Sequence, residues 1–298
     1  RMAIDQFAAD ARRHEYLVRL AAGTLELARS SEPGSDRQLA FTRSFASAAT
    51  TSVHLATVAA LLDGTEQWDG LVIDTDLRWF LLLQLVSAGL RGKDDIATEL
   101  ASDDTATGRR QGATARASVP TAEAKQWAWE EIFNNADLPN AMLEATIAGF
   151  ADRDHRDLTD AYLQRYFDAL PGVWAERTME IAQSITMGLF PMYSIEDSTI
   201  DRADRFLASD PGPALARLVA EGRDGLLRAR RARARDADSA AKTLEKAKKA
   251  TPVPLPSADA PPAEKGAQGQ EGAAVAPSTL KLQSSIASPV PLQDLGTV

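Results

Sequence analysis

Apolar positions recur along this chain at spacings of three and four rather than two, a pattern that predicts helices and no strands. The densest run is DTDLRWFLLLQLVSAGL, residues 74–90. Leu77, Trp79, Phe80, Leu81, Leu82, Leu83, Leu85 and Val86 leave no face polar, so a central helix with others packed round it is predicted. Its expected core residues are Leu77, Phe80, Leu81 and Val86. Asp74 or Asp76 supplies the cap at its start, and Gly89 and Gly92 mark its end. Arg78, Gln84 and Ser87 interrupt the run, which is too short to span a bilayer.

Upstream, residues 2–30 read as one long helix or two abutting ones, stopped by Pro33-Gly34. Ser35 or Asp36 can cap a helix that buries Leu39, Phe41, Phe45 and Ala46. Residues 50–62 predict another, with Val53, Leu55, Val58, Ala59 and Leu62 inward and Asp63-Gly64 as its stop. Downstream, 93–101 is amphipathic through Ile96 and Leu100, while the Ala-, Thr- and Arg-rich stretch 103–116 predicts a partly exposed helix. Thr121 is placed to cap a helix holding Trp127, Trp129, Ile132 and Phe133, and 139–150 is the next. Residues 158–170 carry Tyr162, Leu163, Tyr166, Phe167 and Leu170 on one face. Pro171-Gly172 then predicts a break before a long helix with Trp174, Ile181, Ile185 and Leu189. Ser198 and Asp201 resemble a capping box, and a last packed helix is expected over 214–234.

Consecutive helices joined by short turns predict an all-α superhelical stack of antiparallel pairs over residues 1–236, an α-solenoid of HEAT or armadillo type, although no strict sequence period is present. Residues 237–298 shift to a low-complexity composition rich in Pro, Ala, Gly and Ser. There 242–249 reads as a basic continuation of the last helix, and the rest reads as a disordered tail. The formal net charge of −9 argues against nonspecific nucleic-acid binding by the whole surface. With no cysteine there is no disulfide framework, thiolate nucleophile or zinc–thiolate site, which suits a reducing, cytoplasmic setting. Arg1 and the helical composition that follows it read as the start of a fragment whose upstream part is missing.

Candidate chemistry is sparse. His14-Glu15 begins like the H-E-x-x-H zinc motif, but the second imidazole would fall at Val18. His54 and His155 are distant in sequence, so three ordinary histidines are expected rather than a site. Asp152 and Asp154 look faintly like a calcium loop, yet Arg156 stands where a third ligand is needed. No G-x-S-x-G is present, and the pairs Asp94-Asp95, Asp103-Asp104 and Glu130-Glu131 read as helix-start and wet-face carboxylates rather than acid–base groups. Gly266, Gly269 and Gly272 lack the strand–turn–helix context of a phosphate loop. Arg228, Arg230, Arg231, Arg233 and Arg235 read either as a contact for an anionic partner or as solvated cations near a helix C-terminus. The second is favoured because no aromatic residue interleaves them. Trp127 and Trp129 could line a groove, with core packing favoured. The residues by themselves yield no catalytic or metal residue and leave substrate-binding residues unassigned.

The stretch DTDLRWFLLLQLVSAG, followed by DDIATELASDDTATGRRQGATARASVPTAEAKQWAW, resembles the C-terminal region of the actinobacterial aminopeptidase N family. GSDRQLAFTRSFASAA, LLDGTEQWDGLVIDTDLRW, LTDAYLQRYFDALPGVWAERTMEIAQ and the Asp-Pro-Gly-Pro-Ala-Leu run from Asp210 fit the same pattern, in order, over about residues 1–235. The resemblance implies a zinc-dependent gluzincin aminopeptidase whose superhelical C-terminal domain forms a bowl over the peptidase domain, encloses the catalytic chamber and limits entry. It also implies that zinc polarises the scissile carbonyl and activates water while a Glu takes the proton. The motifs for that chemistry are Gly-x-Met-Glu-Asn, H-E-x-x-H with a later Glu, and a Tyr. They have no counterpart in this sequence. No catalytic or metal residue is therefore carried over, zinc is expected in an upstream domain and not on this chain, and the chain alone is expected to be inactive. The partners implied are that upstream peptidase domain and peptide substrates, with no nucleic acid and no membrane. The tail beyond Asp236 departs from the family pattern.

A second reading is an independent α-solenoid that binds a protein or anionic partner, with the Arg228-to-Arg235 segment as its contact. The length and collinearity of the resemblance favour the first.

Overall fold

The computed structural model describes residues 1–249, and the tail expected to be disordered from residue 251 onward lies outside the described residues. The described elements are helical, as the spacing of apolar residues predicts, with no strand among the described residues. They are α1 (Met2–Phe7), α2 (Asp10–Ser30), α3 (Asp36–Ala48), α4 (Ser52–Asp63), α5 (Thr75–Ser87), α6 (Lys93–Ser102) and α7 (Ala106–Ser118). There follow α8 (Ala122–Asn134), α9 (Asn140–Phe150), α10 (Arg156–Thr159), α11 (Leu163–Glu176), α12 (Met179–Gly188), α13 (Asp197–Ala208) and α14 (Pro213–Lys249). Three expected caps form: Ser35 accepts from the Gln38 N–H at 3.2 Å, Asp74 from Leu77 at 2.8 Å, and Thr121 from Ala124 at 3.2 Å. Gly64 ends α4 at φ 73°, the left-handed conformation that only glycine adopts without strain.

The helix α5 is enclosed as its composition predicts. It packs against α3, α4, α6 and α7. Leu77, Trp79, Leu81, Leu82, Leu85 and Val86 are buried, whereas Phe80 is half-buried under the Arg43 guanidinium at 5.0 Å. Asp74 is the cap, and Asp76 pairs with Arg43 instead.

The helix α7 is partly exposed, as expected, through Ala106, Thr107, Arg109, Arg110 and Arg116, and its other face is packed more closely than its composition suggests. That face buries Gly108, Gly112, Ala113, Ala115, Ala117 and Ser118 and packs closely on α9. Small residues carry little hydrophobicity, so the stretch reads as polar, yet their size is what lets neighbouring backbones approach. A Cβ on Gly149 of α9 would stand 2.1 Å from the Thr114 carbonyl oxygen. The helices α7 and α8 also partition the interior. Ala115, Val119 and Ala124 belong to an apolar cluster built round α5, while Ala117, Ala128, Trp129 and Ile132 belong to a second cluster that runs through α9 to α14.

Other departures have local causes. Val53 points to solvent, 73% exposed, because it lies in the first turn of α4 before that helix meets its neighbours. The break expected at Pro171-Gly172 does not occur: α11 runs through Pro171, whose fixed φ suits a helix, and the chain turns at Arg177 where Thr178 caps α12. Residues 158–162 belong to the one-turn helix α10 and a 3-10 turn (Asp160–Tyr162) rather than to the start of that helix. The Ser198–Asp201 capping box does not form, since α13 starts earlier with Glu196 at its cap. The helix α14 continues past Ala234 and Asp236 to Lys249.

Most helices adjacent in sequence pack together, and so do many two apart, such as α3 with α5, α7 with α9, and α12 with α14. Some contacts do not follow from a strictly sequential stack: α14 also packs on α1 and α2, and α12 on α9.

Candidate functional site

The three histidines are not brought together. His14 is exposed on α2, His54 lies edge-on to Phe45 with ring centroids 5.7 Å apart, and His155 Nε2 sits 2.6 Å from the Ser87 carbonyl oxygen. Among the described residues, no group of three or more His, Cys, Asp or Glu side chains could hold a metal ion. The acidic pairs are committed elsewhere. Asp95 accepts from the Gly92 N–H at 2.9 Å, and Glu130 accepts from Gln126 at 2.8 Å. Asp103 is buried, and hydrogen bonds from Thr105 (2.8 Å) and the Trp79 indole (2.9 Å) hold its carboxyl below the usual carboxylate range. Arg78 grips Glu99 through Nε and Nη2 at 2.9 and 2.7 Å, and its Nη1 reaches the Leu62 carbonyl at 3.3 Å.

Lys125 is fully buried where α7 and α9 end. Its Nζ donates to the carbonyls of Ala117 (2.7 Å), Gly149 (3.2 Å) and Phe150 (3.1 Å). These are helix-end carbonyls at the negative pole of the helix dipole, which favours a cation there. Burial nevertheless lowers its pKa from 10.5 to about 8, with the Asp152 carboxylate opposing.

A second polar centre joins the two ends of the helical unit. Arg233 of α14 donates to the carbonyls of Asp5 (3.0 Å) and Gln6 (3.2 Å) and to Asp10 Oδ1 (3.1 Å). Arg153 donates to the same Asp10 oxygen at 2.8 Å, and burial beside Arg233 and Arg13 brings its pKa down to about 10. Asp236 accepts from the Ala9 N–H, Arg12 and the Tyr16 hydroxyl, each at 2.9 Å. The basic run therefore does not stay solvated as a whole. Arg233 is buried and Arg230 pairs with Asp197, whereas Arg228, Arg231 and Arg235 are exposed. Asp154, far from forming a calcium loop, pairs with Arg13 at 2.6 Å and with Arg1.

The paired tryptophans divide. Trp129 is core, stacked on Phe133 with centroids 4.2 Å apart. Trp127 walls a cleft of about 430 Å³ between α6, α7, α8 and α9, with the Arg116 guanidinium 3.6 Å above its ring. Ile96, Leu100, Gly112, Ala113 and Met142 supply the apolar lining, and Lys93 and Arg109 stand with Arg116 at its edge. No sequence signal marks this cleft, because its lining comes from four different helices. Its lining side chains include no Ser, Thr, His, Asp or Glu. Among the described residues, no helix is long and apolar enough to cross a membrane.

The described unit is all-helical, with buried polar ties between helix ends at Lys125 and Arg233. Residues 2–228 match the family model of the ERAP1-like C-terminal domain, and the chain belongs to that family. Over 241 residues it is 48% identical to an aminopeptidase N of Streptomyces lividans, an alignment that takes in 80% of this chain. The chain spans 28% of that relative's length. The resemblance to the C-terminal region of aminopeptidase N is thereby borne out.

Proposed function

We propose that this chain is the noncatalytic C-terminal domain of a zinc-dependent aminopeptidase N. In this reading it encloses the chamber in which amino-terminal residues are removed from peptides, and it limits which substrates enter. The observation that carries the reading is the 48% identity over 241 residues to part of a relative named for that activity. The described residues do not fit a zinc ion, since the imidazoles lie apart and the carboxylates are held by arginines, hydroxyls and backbone N–H groups. Zinc and the hydrolytic step are accordingly assigned to an upstream peptidase domain of the same parent chain, in a cytoplasmic setting. Residues 1–236 would form the helical domain and 237–298 an appended tail, with α14 crossing that boundary.

The test is turnover. The isolated 298-residue chain should hold no stoichiometric zinc and should not hydrolyse aminoacyl-arylamides. Chelator-sensitive hydrolysis by the isolated chain would overturn the proposal. Within the parent protein, loss of this domain should alter the dependence of cleavage on peptide length more than it alters arylamide turnover.

A further inference from the structure

We infer that the Trp127 cleft is a docking site for a peptide segment that presents a large apolar side chain beside carboxylates. The inference stands on the cleft alone and does not require the chamber reading. Its volume of about 430 Å³ suits a few side chains, and its lining is apolar through Ile96, Leu100, Ala113, Trp127 and Met142.

Charge selects the class of occupant. The chain carries a formal charge of −9, yet the side chains lining this cleft include Lys93, Arg109 and Arg116 and no carboxylate. Arg109 is already paired with Asp104 at 2.5 Å, and Lys93 interacts electrostatically with Glu123. Arg116 differs: among the described residues its recorded contact is the Trp127 ring at 3.6 Å, with no carboxylate partner. Stacking occupies the face of a guanidinium and leaves its N–H edge free to take a carboxylate through two parallel hydrogen bonds. An apolar floor therefore adjoins an uncommitted, pre-oriented bidentate donor. That combination fits an acidic, apolar segment and repels a basic one.

The experiment titrates the 298-residue chain with three blocked peptides and follows heat and tryptophan fluorescence. They are acetyl-Asp-Leu-Phe-Glu-amide, acetyl-Lys-Leu-Phe-Lys-amide and acetyl-Asp-Gly-Gly-Glu-amide. The first should bind at one site, weaken as salt is raised, and outcompete the other two. Arg116→Glu should weaken it by roughly tenfold or more, the scale of one charge-assisted pair. Arg116→Lys, which keeps charge but not the fork, should fall between, and Arg231→Glu on α14 should bind like the wild type. Arg116 and Arg231 are exposed, and unchanged circular dichroism establishes that the variants fold. Trp127→Phe should remove most of the fluorescence change. Equal binding of all three peptides, no binding, or binding indifferent to Arg116→Glu would overturn the inference. So would concentration-dependent self-association abolished by Arg116→Glu, because the occupant would then be a second copy of the chain.

Discussion

The Lys125 ammonium lies 3.2 Å from the carbonyl oxygen of Gly149, the residue whose missing side chain brings α9 against α7. One cation thus ties together the ends of two helices that the small residues allow to meet. Either side of this junction the interior changes hands: Ala115 belongs to the apolar cluster round α5, and Ala117 to the one that runs to α14.

Replacing Lys125 by Met keeps much of the bulk but leaves three helix-end carbonyls without a donor. Lys125→Met should lower stability by about 2–4 kcal/mol at neutral pH in urea unfolding. The pH dependence has a definite sign. The folded pKa, about 8, lies below the unfolded value of 10.5, so between them the unfolded chain binds the extra proton. Stability contributed by this group therefore rises with pH across that window, by up to about 3 kcal/mol. The gap between wild type and Lys125→Met should widen from about pH 7 to about pH 10. A gap that narrows would show that the ammonium is not held in a desolvated site.

Gly149→Ala should be severe, because its Cβ would meet the Thr114 backbone oxygen at 2.1 Å and neither helix can yield locally. A loss of about 3 kcal/mol, the upper end for overpacking, is expected in thermal or urea unfolding. Gly112→Ala is the contrast. There the nearest atom is a Leu100 methyl at 2.8 Å, which a rotamer change can move, so the loss should be much smaller.

What could be read in advance follows from how each feature is encoded. The caps Ser35, Asp74 and Thr121 and the core of α5 are local, so oxygen chemistry and apolar density revealed them. The close approach of α7 and α9 was hidden because glycine and alanine add little to a hydrophobic pattern. Pro171 misled because its ring disrupts one backbone bond without forbidding the helix. The Arg116–Trp127 and Arg233–Asp10 contacts join different helices, and no spacing along the chain encodes them.

Arg78→Ala should act on the scaffold. Its partner Glu99 is buried with 6% of its side chain exposed, and the substitution would strand that carboxylate. Stability should fall by about 3 kcal/mol, whereas Arg78→Ala placed in a Glu99→Gln background should cost distinctly less. In the complete parent enzyme, substrate affinity should not move. Additive losses in this double-mutant cycle would show that the pair is not coupled.

Arg233 gives the sharpest separation between the structural and solvated members of the basic run. Its guanidinium, on a side chain only 10% exposed, holds the Asp5 and Gln6 carbonyls and the Asp10 carboxylate. Those groups belong to α1 and the first turn of α2, while Arg233 belongs to α14. Arg233→Ala removes the cation, leaves two carbonyls without their donor and returns Asp10 to Arg153 alone. The consequence should be local before it is global, because a six-residue helix such as α1 has little stability of its own. Amide exchange across residues 2–7 should accelerate in Arg233→Ala while that of α5 stays protected. Arg231→Ala, two positions away and exposed, should leave both unchanged. Equal acceleration in the two variants would mean that general positive charge, rather than this contact, secures the first helix to the last.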